Sequence, residues 1–378
     1  MNSAHATNFS TEFWPDPAAM RAEVSHIARG VLAGAAPQID EGRYPLDIMG
    51  SLGAAGAFSP HLDAFGARFD LALEAMHEVS RSCGATGFLT WCQDVCGLYL
   101  EQSGNPALTA RLVDHAMGRR FGGTGLSNPV KALAGIEPML LRARKVKGGY
   151  LVNGSLPWVS HIGAGQYCGA MAAVEGDDGK RSHEIMFLID FDGCIELKPC
   201  PEFSGMEGTS TWRIPLSDYF VGEDAMIADP ARPFIARIRA PFILLQVGMA
   251  TGVIAGAIDS MRDVEPALGH VNCFLQDRPD EIQAELDELT GRVAKLVAAP
   301  YDGGKDYLMD VIDARAQGGE LALRAAQSAM LHQGARGYLR SAAPQRRMRE
   351  AQFIAIVTPA IKHLRFELDR LMREETPQ

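Results

Sequence analysis

The sequence predicts an α+β protein in three parts: an N-terminal α-helical domain over residues 1–120, a middle β-barrel-like domain over 121–230, and a C-terminal four-helix bundle over 231–378. Three observations predict it. Apolar residues recur at helical spacing in the first third, short apolar runs alternate with turn residues in the second, and long helical segments fill the last.

In the first part, Met20 to Leu32 and Leu71 to Val79 place apolar residues three and four apart, and Gly53, Gly56, Pro60 and Gly66 punctuate between them. Asn105 and Pro106 open a further helix, as cap and first helical residue, that reaches about Met117. In the middle part, Tyr150-Leu151-Val152 precedes Asn153-Gly154, and Met171 to Val174 precedes Gly176-Asp177-Asp178-Gly179. Ile185 to Ile189 and Trp212 to Val221 are two more strand-like runs. Asn-Gly between such runs predicts a hairpin. From Pro233 onward four segments, near 234–264, 279–299, 303–331 and 344–374, read as long antiparallel helices of a bundle.

Composition narrows the function classes. Hydrophobic residues make up 47% and charged residues 22%, a globular balance. The net charge is −10 and no dense Lys/Arg run appears, so no nucleic-acid partner is expected. Arg346, Arg347 and Arg349 read as a solvated helix surface. The seven cysteines (Cys83, Cys92, Cys96, Cys168, Cys194, Cys200 and Cys273) lack framework spacing, which predicts reduced thiols and a cytoplasmic protein. Cys92 and Cys96 could share a helical face, but as buried small hydrophobes; no metal is expected. Met1 to Trp14 shows no signal-peptide pattern. Ala240 to Ile258 has about the length of a bilayer crossing. Its Gln246, its many Ala and Gly residues, and its run into Asp259, Arg262 and Asp263 predict a helix buried in a bundle or oligomer instead, with no membrane partner.

Five local sequences then resemble one family. Gly125-Leu126-Ser127-Asn128-Pro129 is similar to the Leu-Thr-Glu-Pro pattern of acyl-CoA dehydrogenases. Gly149 to Ser160 (GYLVNGSLPWVS) is similar to that family's Tyr-x-Leu-Asn-Gly-x-Lys-x-Trp-Ile-Thr. Gly205 to Thr211 (GMEGTST) resembles Gly-Met-Arg-Gly-Ser-x-Thr. Gln333 to Tyr338 and Arg349-Glu350-Ala351 resemble Gly-Gly-x-Gly-Tyr and Arg-Asp-Ala. Each is weak alone, but all five come in the family's order over residues 15–372.

The resemblance implies a flavoprotein oxidoreductase that binds FAD. A flavin ring system needs a flat apolar cover and polar groups at N5 and at its pyrimidine edge. The resemblance implies that Trp158 covers the ring, Ser160 offers a hydroxyl near N5, and a strand at Leu126-Ser127 lines the pyrimidine edge. Gly334 and Gly337 fall in the family's glycine motif and are implied cofactor contacts.

Two departures qualify this reading. The family's catalytic glutamate position falls at Thr358, and threonine is no base near neutral pH. The alternative base position, on the first bundle helix, falls at about Ile238. Glu350 reads as a structural acid paired with the preceding Arg349. The grip on an ADP group is also thin: Gly-Ser-Asp is replaced by Ala132-Leu133-Ala134-Gly135, Arg-x-x-Phe-Gly by Val271 to Leu275, and the double glycine by Gly334-Ala335. FMN or a loosely bound reduced flavin is therefore an alternative cofactor.

The catalytic residue is thus unassigned, with His161 as a candidate and His332 and His363 behind it. Trp91 and Gln93 lie on a helix that the resemblance places near a substrate cavity, with Trp91 read as core. Three functions follow. The first is an acyl-CoA dehydrogenase-type enzyme on a CoA thioester with its base altered or displaced. The second is a flavin monooxygenase taking reduced flavin from a partner reductase; the third is a non-catalytic protein that keeps the scaffold. The expected partners are a small-molecule substrate, with an acyl-CoA as one candidate, a flavin reductase or electron-transfer protein, and further copies of the chain in a homotetramer or, failing that, a dimer.

Overall fold

The computed structural model describes residues 16–176 and 181–373. The turn expected over 176–179 lies largely outside the described residues, as does the Met1–Trp14 segment.

The chain begins with helices α1 (Pro17–Ile27) and α2 (Ala33–Asp40), joined by a π-turn, then α3 (Leu46–Ala54), α4 (Phe69–Ser82) and α5 (Gly84–Gln102). Asp16 caps α1 by accepting from the amides of Ala18 and Ala19. Every residue of α5 from Gly84 to Leu100 is buried, its polar Thr86, Thr90, Gln93 and Asp94 included, so this helix has no solvent face over that span. Asn105 does cap a helix that starts at Pro106. The helix expected to reach Met117 is instead two short ones, α6 (Pro106–Thr109) and α7 (Leu112–Ala116).

The middle part contains β1 (Gly122–Thr124), α8 (Ser127–Leu133), β2 (Arg142–Val146), β3 (Gly149–Val159), β4 (Tyr167–Glu175) and β5 (Arg181–Asp190). It ends with β6 (Lys198–Pro199), β7 (Trp212–Gly222) and β8 (Met226–Ala228). They form one eight-stranded sheet in the order β6-β7-β3-β2-β4-β5-β8, with β1 alongside β4. Most pairings are antiparallel; β1 and β2 each run parallel to β4. Asn153-Gly154 is not a hairpin turn. β3 runs straight through it as a bulge against β7, and Asn153 exchanges hydrogen bonds of 2.9 and 2.8 Å with Asp218 on that strand. The turn that pairs β2 with β3 is Lys147-Gly148.

The last part holds α9 (Ala231–Arg262), α10 (Glu265–Asn272), α11 (Pro279–Leu296), α12 (Lys305–Gln333), α13 (Ala343–Ile356) and α14 (Ile361–Arg373). The fourth expected helix is two, because Pro359 has no N–H to continue α13. The apolar window of α9 is wholly buried. A stripe of glycines lets α4 press against it: a Cβ on Gly252 would stand 2.3 Å from His77 O, and one on Gly256 2.6 Å from Arg81 O. Gln246 of α9 donates to Thr358 O at 2.9 Å and accepts from the buried Arg315 Nε at 2.8 Å.

The arginine cluster is not a solvated surface. Arg347 is buried, donates to Ser80 O at 3.2 Å and pairs with Glu350 at 2.8 Å, while Glu350 accepts from Gly84 N at 2.8 Å. Glu350 is thus a buried clamp between α13 and α5. Its partners are Arg346 and Arg347, since Arg349 turns to Asp40. Cys83, Cys92, Cys96 and Cys168 are buried, Cys200 is half-buried, and Cys194 and Cys273 are exposed.

Candidate functional site

Strand alternation puts Trp158 and Ser160 on one face at the end of β3, with Val159 buried between them. The Trp158 indole is 57% exposed, a large flat apolar surface left open. Two glycines bring β1 and Leu126 against this strand. A Cβ on Gly123 would lie 2.3 Å from Ser160 O, and one on Gly125 2.9 Å from Leu156 Cδ1. Leu126 is buried and Ser127 exposed at this same end. Ser127 does not lie on a strand, as expected, but opens α8. Its Oγ is 2.9 Å from Thr358 Oγ1, at the α13–α14 junction. The close packing of Gly123 on Ser160 O and the Ser127–Thr358 contact tie the end of β3, the start of α8 and the α13–α14 junction to one region of the chain.

Behind Ser160 runs a ladder of hydroxyls. Ser160 Oγ is 2.7 Å from Thr211 Oγ1, which is 2.8 Å from Thr209 Oγ1. Thr209 in turn donates to Met206 O at 2.7 Å.

Beside Leu126 a cavity of about 320 Å³ opens between α8, the N-terminal third of α9 and α14. Its walls are apolar, with Leu126, Val130, Ile238, Phe242, Ile243 and Leu364 prominent. Ile238, the alternative base position, supplies only a hydrocarbon wall. The polar exception is a cluster on α9 and α14. Glu367 accepts from Arg239 and from Arg370, each at 2.7 Å, and its Oε1 is 3.7 Å from His363 Nε2. Burial would raise the Glu367 carboxyl, but His363 and the guanidinium groups outweigh it and hold it at about 2. Glu367 is the one carboxylate lining the cavity among the described residues, and it is too acidic and too engaged to take a proton. His363 is 5% exposed, and its Nδ1 has no hydrogen-bond partner among the described residues.

His161 sits differently. It is fully buried, with Nδ1 2.8 Å from Tyr44 Oη and Nε2 3.1 Å from Gln93 Oε1. Gln93 also accepts from Gly122 N and donates to His115 O and Arg120 O, at 3.0, 2.8 and 3.0 Å. Burial lowers His161 to about 3 and His115 to about 4, so both rings stay neutral. This network pins the N-terminal helices to the sheet and leaves His161 no nitrogen for a substrate. Trp91 is core: it is buried, stacks on Phe88 at 5.7 Å and donates to Phe242 O at 3.3 Å.

Gly334 and Gly337 are not brought to that region within one chain. They follow Gln333, which donates to Ser260 O on α9. Ser260 is 17 residues past Ile243, roughly 25 Å along the helix at 1.5 Å per residue. His332, at the same far end, bonds Ser328 O through Nδ1 at 2.9 Å. The residues that sequence reasoning missed are Glu367 and Arg239. The i, i+4 spacing of His363 and Glu367 was a readable signal, but Arg239 comes from another helix.

The end of β3 offers groups of the kind a flavin ring system needs, an exposed indole at Trp158 and the Ser160 hydroxyl two residues on. The phosphate end fits less well. The segment that grips pyrophosphate in the resembling family is here α8 and its C-terminal turn, and its amides bond internally: Val130 N to Leu126 O, Gly135 N to Ala132 O and Ile136 N to Lys131 O.

No family model matches the chain. It is 24% identical over 359 residues to "Probable acyl-CoA dehydrogenase YngJ" of Bacillus subtilis, covering 89% of this chain and 92% of that protein. It is 23% identical over 363 residues to the short-chain-specific acyl-CoA dehydrogenase of Clostridium acetobutylicum, with 89% and 92% covered. Among solved structures it resembles butyryl-CoA dehydrogenase of Megasphaera elsdenii, with TM-score 0.81, 16% identity, and 94% and 98% of the two chains covered. It also resembles dibenzothiophene monooxygenase of Paenibacillus sp. A11-2, with TM-score 0.78, 14% identity, and 95% and 98% covered.

Proposed function

We propose that this chain is a flavin-dependent oxidoreductase of the acyl-CoA dehydrogenase superfamily and that it takes its substrate's proton on His363 instead of a glutamate. The observation that carries this is that His363 lines the cavity and holds a buried Nδ1 with no hydrogen-bond partner among the described residues, beside a carboxylate already committed to two arginines.

The residues divide the work as follows. Trp158 would cover the ring and Ser160 and Ser127 would meet its polar edges; bound flavin supplies the acceptor for substrate electrons. The apolar wall from Leu126 to Ile243 holds a hydrocarbon part of the substrate and excludes water. Glu367, fixed by Arg239 and Arg370, orients His363 so that Nε2 faces the carboxylate and Nδ1 is left as the site that takes or returns a proton. A CoA thioester with an apolar acyl chain is the first substrate class. Anaerobic mixing of the flavin-loaded protein with a series of acyl-CoA thioesters tests it. Loss of the oxidised-flavin absorbance with one of them is the expected result, and its absence across the series removes this class.

One observation favours a second reading, a monooxygenase that receives reduced flavin from a reductase. The amides of α8 and its C-terminal turn bond to one another, which leaves less to grip a dinucleotide and favours a flavin that exchanges. Oxygen uptake driven by NADH, FMN and a flavin reductase in the presence of aromatic compounds distinguishes it.

We also propose a homotetramer. Val271, Phe274, Leu331, Tyr338 and Leu339 are exposed around the far ends of α10 and α12, with Phe274 at 86% and Tyr338 at 78%, and the Gly334–Gly337 turn lies among them. Light scattering that found a monomer at micromolar concentration would remove this.

A further inference from the structure

Each hydroxyl in the Ser160 ladder has one proton to give, and this fixes the direction of the whole chain. Thr209 gives its proton to Met206 O. The 2.8 Å contact between Thr209 and Thr211 is then a bond in which Thr211 donates. The 2.7 Å contact between Thr211 and Ser160 is likewise one in which Ser160 donates. Ser160 therefore sends its proton to Thr211 and keeps only lone pairs for any further partner. The reverse order would require Thr209 to give up Met206 O, whose remaining donor is the Thr209 amide at 3.1 Å.

We propose that this ladder makes Ser160 a hydrogen-bond acceptor on the ring face, and that the site consequently prefers reduced flavin to oxidised flavin. The reason is general flavin chemistry. N5 of the reduced ring carries a hydrogen and donates, whereas N5 of the oxidised ring has a lone pair and needs a donor. An acceptor matches the first and faces the second lone pair to lone pair. Thr211 and Thr209 act through Ser160 and are positioning residues. The proposal rests on the reading that a flavin lies against Trp158 and Ser160.

The test is the affinity of the full-length protein for FMN and for FAD, each oxidised and each reduced anaerobically with dithionite. One hydrogen bond gained against one mismatched predicts about tenfold tighter binding of the reduced form. For a two-electron couple this is about 30 mV of upward shift in the bound flavin's midpoint potential. Thr211→Val leaves Ser160 free to turn its proton outward and should bring the two affinities level. Thr211→Ser should restore the preference. Ser160→Ala, which removes the acceptor, should also level them. Equal affinities in the unaltered protein, or a preference unchanged in Thr211→Val, would overturn the ladder while leaving the ring face intact. If neither redox state binds, the ring-face reading itself fails and the preference falls with it.

Discussion

Where the β domain meets the N-terminal helices, His161 uses both ring nitrogens, on Tyr44 and on Gln93, and the Gln93 amide is in turn bonded to three backbone groups. At the other seam, where the β domain meets the bundle, His363 is almost as deeply buried and lines a cavity of about 320 Å³, yet its Nδ1 has no hydrogen-bond partner among the described residues. The same residue type is thus mortar at one seam and an unfinished contact at the other. Burying a polar group without a partner costs stability, so the second seam keeps a group that packing alone would have satisfied or removed. Completeness of hydrogen bonding, not burial, is what distinguishes His161 from His363.

The contrast can be broken most forcefully at His363. His363→Ala should lower kcat by ~10²–10³-fold, the usual contribution of a positioned proton acceptor, with flavin affinity and Tm nearly unchanged. A steady-state assay beside a thermal melt checks both halves. At the sealed seam the expected effect is the reverse. Gln93→Leu should cost about 3 kcal/mol in stability by orphaning His161 and several backbone groups, measurable by denaturant unfolding, while turnover per folded molecule is retained.

Smaller effects sharpen the comparison through pH. Asp94, next to Gln93, is fully buried with neither carboxyl oxygen bonded among the described residues, and burial pushes it well above its ordinary value near 3.8. The folded state holds it protonated while the unfolded chain ionises it. Its contribution is therefore full below about pH 3.8 and is lost as pH rises. Asp94→Asn should raise Tm above pH 6 by several degrees and lose that advantage near pH 3. Glu367 has the opposite sign. Held at about 2 against an ordinary 4.5, it stabilises fully above pH 4.5, and the effect fades as pH falls toward 2. Glu367→Gln should flatten that acid limb in melts taken between pH 5 and 2, a smaller change than the others.

The fold was legible where burial is one-sided. Leu71 to Val79 showed its stripe because α4 has a wet face, and Trp158 and Ser160 could be placed together because a strand alternates. The enclosed α5 gave a weaker signal, since its polar residues Thr86, Thr90, Gln93 and Asp94 are buried with the rest and mark no wet face. Asn153-Gly154 misled because a turn dipeptide serves equally in a bulge when a strand such as β7 pairs across it. Pro359 was a readable break in the last helix. The site was half legible. The proposed ring face lies within one strand and one glycine-rich turn, whereas the His363–Glu367–Arg239 cluster depends on α9 and α14 meeting, which no local pattern specifies.

The distribution of sulfur has a practical corollary. Four thiols are enclosed, with Cys96 and Cys168 pushed well above the usual thiol range by burial, and one more is half-covered. Cys194, in the loop after β5, and Cys273, just past α10, remain open to solvent. A maleimide dye accordingly finds one address in the β domain, and one in the bundle wherever another copy does not cover the Val271–Phe274 face. The unaltered chain is ready for energy-transfer measurements that report whether its two halves draw together as a guest enters between them.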